Sequence, residues 1–66
     1  MNVKLLRSKM VLFDDTNESL AEALSITPQA FSQKVNGRRE FRQDEIKIIQ
    51  DRYGLTPDDV VEIFLS

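Results

Sequence analysis

The chain has 66 residues, 41% of them apolar, with nine basic side chains against eleven acidic ones and a net charge of −2. At this length only about 60% of the unfolded surface can be buried, which limits residues 1–66 to one domain around one small core. Cys and His are both absent, which excludes a disulfide framework, a thiolate zinc site and the commonest general base.

Val3, Leu6, Met10 and Phe13 recur at helical spacing and predict a first helix over about residues 3–13. Met10 to Phe13 is the longest apolar run, far short of the roughly 20 residues of a membrane span. Lys4, Arg7 and Lys9 interrupt the same stretch, so it lacks the form of a signal peptide. These features point to a cytoplasmic chain without a membrane partner. Thr16 then offers an N-cap, with Glu18 in the first turn where the helix dipole favours an acid. Leu20, Ala21 and Leu24 give the second helix one apolar face, ending near Ser25.

Thr27-Pro28 is the sharpest start signal, a capping hydroxyl followed by proline at the first helical position. Phe31 and Val35 lie one turn apart on this third helix, which stops at Asn36-Gly37. Asn-Gly is also a hairpin signal, but the alternation expected of flanking strands is poor here. A fourth helix spans about Gln43 to Tyr53, with Ile46, Ile49 and Tyr53 inward and Gly54 as the stop. Thr56-Pro57 starts a fifth, whose Val60, Val61, Ile63, Phe64 and Leu65 are strongly apolar. The expected class is all-α, five short helices joined by tight turns.

Little here supports catalysis. Asp14-Asp15 and Asp58-Asp59 are adjacent carboxylate pairs, but sequence neighbours do not converge on one atom, and a metal or acid–base site draws its groups from separate elements. They read as turn and helix-start acids. The Ser and Thr hydroxyls have no His or plausible Lys base beside them. The expectation is a protein that is not an enzyme, with no cofactor and no metal.

Charge is unevenly distributed. Lys4, Arg7 and Lys9 put +3 in residues 1–9, and Asp14, Asp15, Glu18 and Glu22 put −4 in residues 10–32. Lys34, Arg38, Arg39 and Arg42 against Glu40 leave +3 in residues 33–43, and the remainder carries −4. The net acidity therefore hides two basic blocks, the second on and just after the third helix. Such a block is where phosphates could be held.

The segment Asn17 to Gly37, NESLAEALSITPQAFSQKVNG, resembles the helix-turn-helix of the Cro and lambda-repressor-like family of bacterial and phage regulators. The stretch FSQKVNGRREF is similar to a variant found in small phage-type regulators of Gram-positive bacteria. The resemblance spans Leu5 to about Leu65. Leu20, Leu24, Ile26 and Phe31 match the motif's apolar positions, and Ala21 the small residue that lets the two helices approach. Two positions depart from it. Ser25 stands where the turn usually holds Gly, so the turn either accepts a left-handed serine or bends differently. Lys34 stands at a late apolar position, with Val35 taking the core role and the helix rotated slightly.

The resemblance implies a compact five-helix lambda-repressor-like domain and a sequence-specific transcriptional regulator, a phage or prophage repressor or Cro-like protein in a bacterial host cell. Its third helix, about residues 28–36, would enter the major groove of a double-stranded DNA operator. Gln29 and Gln33 would read base edges, Gln being able to pair bidentately with adenine, with Ser32 and Lys34 flanking them. Asn17, Thr27, Asn36, Arg38, Arg39 and Arg42 would hold the DNA backbone. Arg42 also occupies an N-cap position for which it is poorly suited. Relatives usually dimerise on DNA, and the last helix offers Val61, Phe64 and Leu65 for a homodimer; the simpler alternative is that Val60, Ile63 and Phe64 close the core while Val61 and Leu65 are merely exposed. Two alternatives stay open for the function. The scaffold could serve as a protein-binding module, an anti-repressor or adaptor using its acidic surfaces, or the chain could be the N-terminal part of a longer repressor.

Overall fold

Helix α1, Val3–Leu12, starts where the Asn2 side chain accepts the Leu5 backbone N–H at 3.1 Å. In this computed structural model, which describes residues 1–65, it is followed by α2, Asn17–Ala23; α3, Pro28–Val35; α4, Gln43–Tyr53; and α5, Pro57–Phe64. No strand occurs among the described residues. The five expected helices form, and Asn36-Gly37 ends a helix rather than turning a hairpin.

The starts follow local chemistry. The Thr16 hydroxyl accepts from the Ser19 N–H at 3.1 Å, and the Ser19 hydroxyl accepts from the Thr16 N–H at 2.8 Å. Thr27 accepts from the Ala30 N–H at 3.0 Å ahead of Pro28. Thr56 and Asp59 close a reciprocal box at α5. Each bond satisfies a backbone donor that a helix start leaves without an internal partner.

The ends of α1, α2 and α3 share one geometry. In each, a left-handed residue follows the cap, and the next N–H reaches back across the last turn: Asp15 to Met10 O at 2.8 Å, Ile26 to Ala21 O at 3.0 Å, Arg38 to Gln33 O at 2.9 Å. This is the Schellman arrangement, in which the left-handed position suits glycine. Only the third uses one, Gly37 with φ +81°; the other two place Asp14 and Ser25 there, each at φ +58°. The turn between α2 and α3 therefore accepts a left-handed serine.

Leu6, Met10, Leu20, Ala21, Leu24, Phe31, Val35, Ile49, Tyr53, Leu55 and Ile63 form the core. Phe41, in the loop between α3 and α4, lies edge-on between Phe31 and Phe64, with ring centroids at 6.0 and 5.4 Å. The Asn2 N–H donates to Ile63 O at 2.7 Å and ties the start of α1 to α5. Phe13, expected on the inner face of the first helix, is instead its half-exposed cap, 5.1 Å from the Tyr53 ring. The helix ends at this residue, whose N–H still bonds Lys9 O at 3.1 Å, so the ring lies at the edge of the packed face rather than within it. On α5, Ile63 is buried, Val60 and Phe64 pack on the core, and Val61 and Leu65 are exposed.

Candidate nucleic-acid interface

Helix α3 begins at Pro28, and a helix turns by 100° per residue. Gln29, Ser32, Gln33 and Asn36 therefore fall within about 60° of one line, while Phe31, Lys34 and Val35 face the other way. Exposure follows the same division. Gln29 and Asn36 are exposed, Ser32 and Gln33 are partly so, and Phe31, Lys34 and Val35 are buried. One polar strip thus runs along the outer face of α3, bringing together three of the four expected base-reading residues.

The fourth is a correction. Lys34 is 4% exposed, and its Nζ lies 2.5 Å from Glu45 Oε1, itself buried on α4. The ammonium also sits 6.0 Å from the centroid of the Phe41 ring. Lys34 is not available to a groove. It and Val35 are both buried, so Val35 joins Lys34 on the inner side rather than replacing it there. The lysine tolerates this site because a carboxylate faces it; an unpaired buried charge would be very costly.

Glu45 was not singled out by the sequence, although it stands three residues after Arg42, the capping-box position for a glutamate. Its Oε1 accepts the Arg42 backbone N–H at 2.8 Å. Arg42 itself returns no side-chain cap bond, in keeping with its having no acceptor. Its guanidinium is exposed and pairs loosely with Asp44 at 3.3 Å, a contact between two well-solvated groups and worth little.

Arg38 and Arg39 are exposed in the loop that follows α3. Their backbone N–H groups both donate to Gln33 O, at 2.9 and 3.3 Å. The loop backbone is thereby tied to the end of the polar strip while its guanidinium groups project outward. Thr27 is exposed and caps α3.

Asn17 lies at the first position of α2, and its Oδ1 accepts a hydrogen bond from the Arg7 guanidinium of α1. The oxygen is engaged within the protein, leaving the side-chain NH₂ as a donor. Arg7 is an addition to the expected set. Ten residues separate the two in sequence, so only the packing of α1 beside α2 reveals the pair.

In the turn before α2, the Asp15 carboxylate accepts from Arg52 Nε and Nη2, both at 2.7 Å, from the Tyr53 hydroxyl at 2.6 Å and from Ser19 Oγ at 2.7 Å. The Arg52 hydrogen bonds hold the Asp15 carboxyl far below the ordinary carboxylate range, against an opposing effect of burial, with Tyr53 and Ser19 adding to the depression. Burial, and then the Asp15 bond, raise the Tyr53 hydroxyl above its usual value. Asp15 is thus a tie between the α1–α2 turn and the end of α4. No cluster of carboxylates able to hold a metal ion occurs among the described residues, and no helix there is long and apolar enough to cross a membrane.

Comparison with known proteins gives no match, whether to a family model, to a curated protein or to a solved structure.

Proposed function

We propose that this protein is a small helix-turn-helix regulator that binds double-stranded DNA with α3 in the major groove. The observation that carries the reading is the company the polar strip keeps. Between Glu22 and Glu40 the chain has no carboxylate, although it has eleven in all. Within that acid-free stretch lie Gln29, Ser32, Gln33 and Asn36 on one helix face, followed by exposed Arg38 and Arg39. Amides for base edges beside cations for phosphates is the division of labour that groove recognition needs.

In this reading Gln29, Ser32 and Gln33 read bases. Arg38, Arg39 and Arg42 grip the backbone after the recognition helix, and Asn17, Thr27 and Asn36 contribute neutral donors to phosphates. Arg7 orients the Asn17 amide. A phage-type repressor or Cro-like role in a bacterial cytoplasm is the biological setting that the helix-turn-helix resemblance suggests. A single recognition helix covers only a few base pairs, so two copies would bind half-sites about 34 Å apart, with Val61, Phe64 and Leu65 at the symmetric contact. Of these, Val61 and Leu65 are 53% and 74% exposed.

Selection from a random duplex library at 50 mM salt, followed by titration of the enriched site, tests the proposal. Enrichment of a palindromic site bound far more tightly than scrambled duplex supports it. No enrichment and no retarded complex overturns it.

A second reading has one observation in its favour. Val11 and Leu12 are 75% and 71% exposed beside half-exposed Phe13, an apolar group remote from α3 in sequence that suits a protein partner. A stable protein complex broken by Leu12→Asp, with indifference to DNA, would favour this reading.

A further inference from the structure

We infer that the buried Lys34–Glu45 ion pair is a positioning device that fixes the arginine-bearing loop between α3 and α4, an inference whose functional meaning rests on the DNA-binding reading above. The pair spans 2.5 Å, and both side chains are almost wholly buried, at 4% and 3% exposure. A buried ion pair contributes little to stability over a well-packed apolar pair, because desolvating two charges offsets their attraction. Its geometric consequences are larger.

Glu45 Oε1 serves two partners from two places. It receives Lys34 Nζ from α3 and the Arg42 backbone N–H, at 2.8 Å, from the end of the loop. One oxygen thus joins the helix that enters the loop to the residue that leaves it. The Lys34 ammonium stands 6.0 Å from the centroid of the Phe41 ring, which is seated between Phe31 and Phe64. At the other end, Gln33 O holds the Arg38 and Arg39 N–H groups. The backbone from Asn36 to Arg42 is therefore anchored at both ends, while the side chains of Asn36, Arg38, Arg39, Glu40 and Arg42 stay exposed. A loop fixed in this way presents its charges without the ordering cost that a floppy basic loop would meet on binding a phosphate backbone. Lys34 and Glu45 are positioning residues; neither faces the polar strip.

Amide exchange and ¹⁵N relaxation on the full chain, without DNA, test the clamp. In the wild type, residues 38–42 should show backbone order close to that of α3 and α4, and the Arg42 N–H should be protected from exchange. A disordered loop with an unprotected Arg42 overturns the inference before any variant is made. The double variant Lys34→Met with Glu45→Leu removes both charges and the acceptor while roughly keeping volume. It should speed exchange at Arg42 by about tenfold or more, with Leu20 and Ile49 unchanged. Unchanged loop exchange overturns the inference. Lys34→Met with Glu45→Gln also removes both charges but keeps an acceptor for the Arg42 N–H; it should fall between the two, and it carries the comparison if the first double variant does not fold.

With an enriched duplex in hand, the loosened loop should weaken binding to all sequences and lower the dependence on salt, leaving the order of preferred sequences intact. A wild-type chain that binds no duplex overturns the DNA-binding reading, and loop exchange then judges the clamp by itself.

Discussion

Asp15 and Arg52, 37 residues apart, are joined by two hydrogen bonds of 2.7 Å that tie the α1–α2 turn to the last turn of α4. The carboxylate is 5% exposed, whereas the guanidinium is 37% exposed. Water therefore screens one partner and not the other, and the larger loss comes from disturbing Asp15. Asp15→Asn leaves acceptor capacity for Tyr53 or Ser19 but removes the charge facing Arg52. It should lower unfolding free energy by about 2 kcal/mol in urea denaturation.

The same group sets a pH dependence. The folded-state pKa of Asp15 is depressed, so its stabilisation is fully present above the unfolded carboxylate value of about 3.9 and is lost as pH falls below it. The melting temperature of the wild type should drop more steeply below about pH 4 than that of Asp15→Asn. Parallel melting curves in that range would remove Asp15 from the account of acid sensitivity.

Ser25 occupies a left-handed position at φ +58°, which costs a residue with a Cβ about 1–2 kcal/mol. Glycine escapes that cost but gives up about 0.5–1 kcal/mol through the freedom of its unfolded chain. Ser25→Gly should therefore stabilise by up to about 1 kcal/mol, a rise in melting temperature of about 4–8 °C at most for a domain of this size. Ser25→Val should destabilise. A glycine variant that melts below the wild type would show that the serine is not strained in this turn.

Gln33 and Arg39 should separate specificity from affinity. Gln33→Ala should weaken binding to the preferred duplex by about 1–3 kcal/mol and relax the preference at one position. Arg39→Ala should weaken binding to every duplex and reduce the slope of log K against log salt by about 1. Anisotropy titrations at three salt concentrations distinguish the two. Equal effects of Gln33→Ala on preferred and scrambled duplex would remove Gln33 from base reading.

Val61 is exposed in the middle of α5, so Val61→Lys should change unfolding free energy by no more than about 0.5 kcal/mol. If α5 forms the contact between copies on DNA, the variant should lose cooperative occupation of a palindromic site while still binding a half-site. Sedimentation and titration of whole and half sites read this out; full cooperativity in the variant places the contact elsewhere.

What could be read from the sequence were relationships spanning three or four residues. Thr16, Thr27 and Thr56 each accept from the N–H three residues on, and α4 begins and ends where Gln43 and Gly54 indicated. The outer strip of Gln29, Ser32 and Gln33 follows from helical period alone. Ser25 was marked as anomalous by its type, and its backbone conformation accounts for the anomaly.

The tertiary structure decided the partners. Lys34 joins the base-reading set only through the resemblance and the slight rotation it implies; the helical period puts Lys34 on the inner side, and only the approach of α4 provides the Glu45 carboxylate that lets a lysine stay there. Arg7 with Asn17, and Asp15 with Arg52 and Tyr53, are likewise contacts across 10, 37 and 38 residues. Capping and periodicity are set within one or two turns of chain, where the backbone fixes which groups meet. A charge's partner depends on how helices pack, and packing brings together residues that no local pattern relates.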